Sequence, residues 1–105
     1  MQYTLRELAS VIRSKNSGPY ELTFDIIFKD FPTYEKAKAA QIINKKMFAA
    51  LYNIPQKDII LITYFDPAKA IKATIVRPIP SGALGETDVY GAQQHAPLIN
   101  AKVNI

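Results

Sequence analysis

Residues 20–28, YELTFDIIF, set the clearest pattern in the chain. Tyr20, Leu22, Phe24, Ile26 and Phe28 fall on one side of an extended backbone, and Glu21, Thr23, Asp25 and Lys29 fall on the other. A period of two with one apolar side predicts a half-buried strand. The Asp30-Phe31-Pro32-Thr33 run breaks it and offers Thr33 as a helix cap. The following stretch, YEKAKAAQIINKKMFAALY, puts Ala37, Ala40, Ile43, Met47 and Leu51 on roughly one side and predicts one or two helices ending before Pro55. DIILITYFD then predicts a strand over 59–65, Asp66-Pro67 a turn, and AIKATIVRP a further strand ending at Arg77-Pro78. IPSGALGETD reads as a loop, and Asp88 caps a short helix from Val89 to about Gln94, stopped by Pro97. Ile99, Ala101, Val103 and Ile105 alternate with polar residues and predict a closing strand. At the N-terminus Thr4 and Glu7 have capping-box spacing. Leu5, Leu8 and Val11 or Ile12 follow at helical intervals, predicting a short helix or turn, with an extended segment as the alternative.

From Tyr20 onward the order is strand, helix, strand, strand, helix, strand. This is the α+β, ferredoxin-like βαββαβ arrangement: a four-stranded antiparallel sheet of order 4-1-3-2 with helices on one face. The expected organisation is a single domain over 1–105, with an N-terminal segment and polar loop (1–19) before the core (20–105). The polar side of the first strand should be the sheet face without helices. In that order the strand over 59–65 is an edge, and IILITYF is apolar on both sides, so its own chain, a second copy or another protein should cover it.

Composition narrows the chemistry. The 105 residues include no cysteine, which removes disulfides, thiolate metal sites and a cysteine nucleophile. No apolar run approaches the ~20 residues of a membrane span, and the first residues lack a secretory pattern, so the expectation is a cytoplasmic protein with no membrane partner. A formal charge of +4 admits an anionic partner, but the cations are dispersed and form no stripe. Nucleic acid is not expected. Base-stacking domains of this topology put aromatics on the open face, whereas here the aromatics share the core side and Glu21 and Asp25 occupy the other.

The topology brings the entrance to the first strand and the exit from the third to one end. Residues 13–19 should therefore face the loop over 78–88, with 53–57 alongside. Arg13, Ser14, Lys15 and Asn16 would meet Ser81, Thr87 and Asp88, with Arg77 and Glu86 nearby. Arg13 and Lys15 can hold a carboxylate or phosphate, helped by amides at the start of the helix after Asp88. Alternatively they are solvated charges paired with Glu86 or Asp88. His95, the only histidine, lies in YGAQQHAPL and could act as a general base near neutrality, or join Gln93 and Gln94 in tying down the last turn. One histidine offers no metal cluster of the usual kind, and no cofactor signature such as GxGxxG or GxxxxGK[ST] occurs. Asp25 beside Glu21 reads as a solvated strand carboxylate.

Three stretches carry a family resemblance: TLRELASVIRSKNSGPYELTFDIIF, DPAKAIKATIVRPIPSG and GETDVYGAQQHAPLI. With Arg13-Ser14-Lys15-Asn16, Ile71-Lys72-Ala73-Thr74 and the run 88–97, they resemble a small bacterial and archaeal family of unknown function over residues 5–99. That family is similar to the ferredoxin-fold C-terminal domain of acyclic terpene utilisation proteins. Arg13-Ser14 match that domain's Arg-Ser pair, while Lys15-Asn16 replace its usual Gly-Asp. The resemblance implies a small subunit of a two-component catabolic enzyme, contacting a large subunit of the acyclic terpene utilisation type. It implies organic-acid or acyl-CoA substrates, with the CoA thioester as substrate rather than cofactor. An independent, homo-oligomeric small-anion-binding module is the alternative, and a stand-alone enzyme using His95 a third.

Overall fold

The computed structural model describes residues 2–17, 20–76 and 96–105. Along the chain these form β1 (Gln2–Thr4), α1 (Leu5–Leu8), β2 (Ala9–Asn16), β3 (Glu21–Phe28), α2 (Phe31–Ala40), α3 (Lys45–Tyr52), β4 (Ile59–Phe65), β5 (Ala70–Val76), α4 (Ala96–Ile99) and β6 (Lys102–Asn104). Four strands make one antiparallel sheet of order β2-β3-β5-β4, and β1 pairs with β6 in a separate ribbon.

Alternation in β3 does what its pattern predicts from Leu22 onward, whereas Tyr20, expected on the same side, precedes the strand and is 62% exposed. Leu22, Phe24, Ile26 and Phe28 are fully buried, joined from β5 by Ile71, Ala73 and Ile75. The Phe24 ring sits 5.3 Å from Phe48 and 5.1 Å from Tyr52, and Phe28 sits 6.0 Å from Tyr34. α2 and α3 therefore cover this face, and the described residues place no helix on the other. The two helices are separate because each has its own cap. Asp30, not Thr33, caps α2, accepting the Thr33 N–H at 2.8 Å. Pro32 suits the first turn, where its missing N–H costs no helix bond. Asn44 caps α3 by accepting the Met47 N–H at 2.8 Å. Gln41 (φ 49°) and Asn53 (φ 53°) close the helices in the left-handed region.

Three elements of the expected ferredoxin-like order are present: β3, β5 and β4 lie side by side, as strands 1, 3 and 2 should. The fourth position is filled differently. The place beside β3 belongs to β2, from the segment expected to be a helix, turn or polar loop, with an extended course as the alternative. α1 does form at the capping box, where the Thr4 N–H and hydroxyl both donate to Glu7 Oε1 at 2.9 Å, but it stops after Leu8. β2 then pairs with β3 through a connection so short that the Ser17 N–H reaches the Glu21 carbonyl at 3.0 Å. A local hairpin loses little entropy on closure, whereas a C-terminal strand must cross the whole domain to reach the same place.

The expected closing strand over 99–105 is shorter and lies elsewhere. Ile99 ends α4, and only Lys102–Asn104 are extended, with Val103 opposite Tyr3 of β1. The Leu5 N–H donates to the Ala101 carbonyl at 2.8 Å, tying the two termini together. The loop over 78–88 and the helix expected from Val89 to Gln94 lie outside the described residues.

Candidate anion site on the open sheet face

Cross-strand register builds the site. Arg13 of β2 is opposite Asp25 of β3, Asp25 is opposite Lys72 of β5, and Lys72 is opposite Thr63 of β4. Directly opposed residues project from the same face. Four strands thus lay one polar row across the face that carries no described helix. Two residues along, a second row reads Val11, Ile27, Ala70 and Phe65, and is apolar throughout.

Asp25 is the pivot of the polar row. Its Oδ2 accepts from Arg13 Nε at 3.0 Å, and its Oδ1 lies 3.8 Å from Lys72 Nζ. Flanked by strands on both sides, Asp25 is only 8% exposed, while the side chains of Arg13 and Lys72 are 63% and 55% exposed. It is a nearly buried, ion-paired carboxylate, not the solvated one its sequence context suggests. Lys15 follows on the same face and makes no ion pair among the described residues. Arg13 and Lys72 thus share one carboxylate, and Lys15 adds a third cation. Together with Ile27, Thr63, Phe65, Ala68 and Ala70 they line an open depression of about 290 Å³. Arg13 pairs with Asp25 through its Nε.

A second polar cluster fixes the apolar end. Asp66 follows Phe65 in a short 3-10 turn. Its Oδ1 accepts from the Tyr34 phenol of α2 and from Lys38 Nζ at 3.0 Å. The phenol's hydrogen bond, then that of Lys38, holds the Asp66 carboxyl below its usual range. Burial, reinforced by the bond to Asp66, pushes Tyr34 well above the usual phenol range. The turn that presents Phe65 and Ala68 is thereby clamped to α2.

The ten candidate residues from the sequence separate into three groups. Arg13 and Lys15 come together on the open face. Ser14 and Asn16 lie opposite Phe24 and Leu22 and so project from the helix-covered side, Ser14 buried and Asn16 half-buried. Ser81, Thr87, Asp88, Gln93, Gln94 and His95 lie outside the described residues. The expected common end does exist among the strands, since Asn16 pairs with Leu22, Glu21 with Val76, and Ile59 with Ile75. Arg13, however, is three residues inside that end, about 10 Å along β2. Asp25, Lys72, Thr63 and Phe65 were missed as site residues. The available signal was register: once the strands over 20–28 and 70–77 are neighbours, a mid-strand carboxylate faces a mid-strand lysine.

Among the described residues no group of three or more His, Asp or Glu side chains can hold a metal ion, and no helix is long and apolar enough to cross a membrane. Fold and site together define an α+β domain built on an antiparallel sheet with one helix-covered and one cation-bearing face. The chain belongs to the family described as domain of unknown function (DUF4387), which matches residues 5–102. That match carries no link to acyclic terpene utilisation proteins. No curated protein and no solved structure matches the chain.

Proposed function

We propose that the chain is a cytoplasmic accessory subunit that binds the anionic part of a small organic acid or acyl-CoA. In this reading it docks on a larger catalytic protein of the acyclic terpene utilisation type and does not carry out the reaction alone. The observation behind the binding part is a charge imbalance: two cations pair with Asp25 and a third, Lys15, lines the same depression open to solvent. A guanidinium that meets Asp25 through Nε and two ammonium groups lining the same depression favour a carboxylate or phosphate. The docking part is supported by β4, an edge strand with Ile60, Leu61 and Phe65 exposed and no charged residue between Ile59 and Phe65. The same edge favours a second reading, an independent homo-oligomeric anion-binding module.

Two measurements test this. Replacing Arg13 and Lys15 together with alanine abolishes binding of carboxylate and phosphate anions, followed by calorimetric titration, and lowers the melting temperature by the loss of the Arg13–Asp25 pair while the chain stays folded, with Lys72 still beside Asp25. Unfolding of the double variant would make these residues structural and overturn the site. In a native cell extract, the immobilised chain retains one larger protein, which mass spectrometry identifies as of the terpene-utilisation type. A pure chain that is a stable homodimer and retains no such protein would overturn the subunit reading and leave the second.

A further inference from the structure

We infer that the depression on the open face takes a monocarboxylate with a short unbranched or lightly branched apolar tail, held in one orientation. This rests on the anion-binding reading and adds the ligand's class and direction. The two rows on the sheet carry it. The head row presents Arg13, Lys72 and, one step away, Lys15, around an Asp25 that is already engaged. Its next neighbour, two residues along each strand, is the apolar row, of which Ile27, Ala70 and Phe65 line the same depression. At 3.3–3.4 Å per residue the rows are about 7 Å apart.

A fully hydrated dianion such as phosphate would satisfy the head row and leave the apolar row against water. A molecule with charge at one end and hydrocarbon at the other covers both. Asp25 lowers but does not cancel the positive charge of Arg13, Lys15 and Lys72, so the anion is drawn by charge and the selection against a hydrated dianion comes from the apolar row. The exposed Phe65 ring, on a turn clamped by Asp66 to Tyr34, gives the tail a fixed wall. A free acid and the phosphate-bearing end of CoA are the two sources of such an anion, and the titration below distinguishes them.

The test is a titration of the full chain with sodium acetate, butyrate and hexanoate at constant ionic strength, followed by amide chemical shifts. Inorganic phosphate and free CoA run as further arms. Affinity rises roughly two- to fourfold for each methylene that the apolar row covers, and the shifts centre on β2, β3 and β5. Phe65→Ser flattens the chain-length series. Because Phe65 is exposed, this variant remains folded, which its melting temperature checks. Lys45→Ala, on α3 away from the open face, behaves as wild type. A series with no dependence on chain length, or phosphate binding more tightly than hexanoate, overturns the tail assignment and leaves the anion reading standing. CoA binding more tightly than every free acid assigns the site to a larger metabolite's anionic part and overturns the monocarboxylate inference. Binding by none of the anions overturns both.

Discussion

Asp25 shows why single residues on strands are hard to read without their neighbours. In the sequence it is one polar position among several on an alternating strand, and most such carboxylates are solvated. On β3 it lies between β2 and β5, and each supplies a cation opposite it. What decides its environment is the identity of residues 12 positions before it and 47 after it, and local pattern contains neither. Tyr34 is a comparable case, since nothing near it in sequence announces Asp66. Their bond has a pH signature. Asp66 is held below the usual carboxylate range, so its stabilising effect is complete above about pH 4 and fades as pH falls through the lowered folded value. Tyr34 is raised, so its contribution is complete below about pH 10 and fades as pH rises beyond the ordinary phenol value. Tyr34→Phe should therefore melt below wild type at pH 7, with the difference shrinking below about pH 4 and again above about pH 10. Melting curves across that range check it, and a difference constant with pH would mean that the bond contributes no linked protonation.

Elements were legible where one face is buried and the other is polar. β3, β4 and β5 fall where periodicity and turn residues put them, and the helical stretch stops before Pro55 as expected. β2 failed that test for a physical reason. It is an edge strand whose two sides are both mixed: Ile12, Ser14 and Asn16 project toward the helices, and Val11, Arg13 and Lys15 away from them. Neither side is apolar enough to show a period of two. β2 and β3 are joined closely enough that the Ser17 N–H bonds to the Glu21 carbonyl. The opposite edge, β4, is the more exposed liability. Its ladder is interrupted around Ile60, which bends the edge without adding a charge to it. Leu61→Lys places a cation on that edge at a residue 56% exposed. It should change folding stability by less than about 0.5 kcal/mol, yet abolish capture of the larger protein and any self-association of the pure chain. Sedimentation velocity and the extract capture read the two effects separately. Unchanged association would place the contact elsewhere than β4.

At the scale of the molecule, the sheet is completed by its own beginning, and the C-terminus is used to fasten that beginning down. β2 fills the outer position beside β3, and the β1–β6 ribbon with the Leu5–Ala101 hydrogen bond anchors the chain just before it. Arg13 is therefore held from both sides: by its ladder to β3 and by buried Leu5 and Leu8 at the start of the strand. The open face and the core then share β3, with Asp25 on one side and Phe24 on the other. Phe24 is fully buried and packs on both Phe48 and Tyr52, so it joins the sheet to α3 at a single ring. Truncating it removes that contact and opens a cavity next to the strand that carries Asp25. Phe24→Ala should cost about 3–5 kcal/mol, a large part of the ~5–15 kcal/mol by which domains of this kind are stable. Chemical denaturation measures it. If core and open face form one cooperative unit, the amides of Arg13 and Lys72 lose protection from hydrogen exchange in parallel with those of Phe48 and Tyr52. Retained protection on β2 and β5 with loss confined to α3 would show that the open face holds its shape without the helices, and that the anion site does not depend on the core behind it.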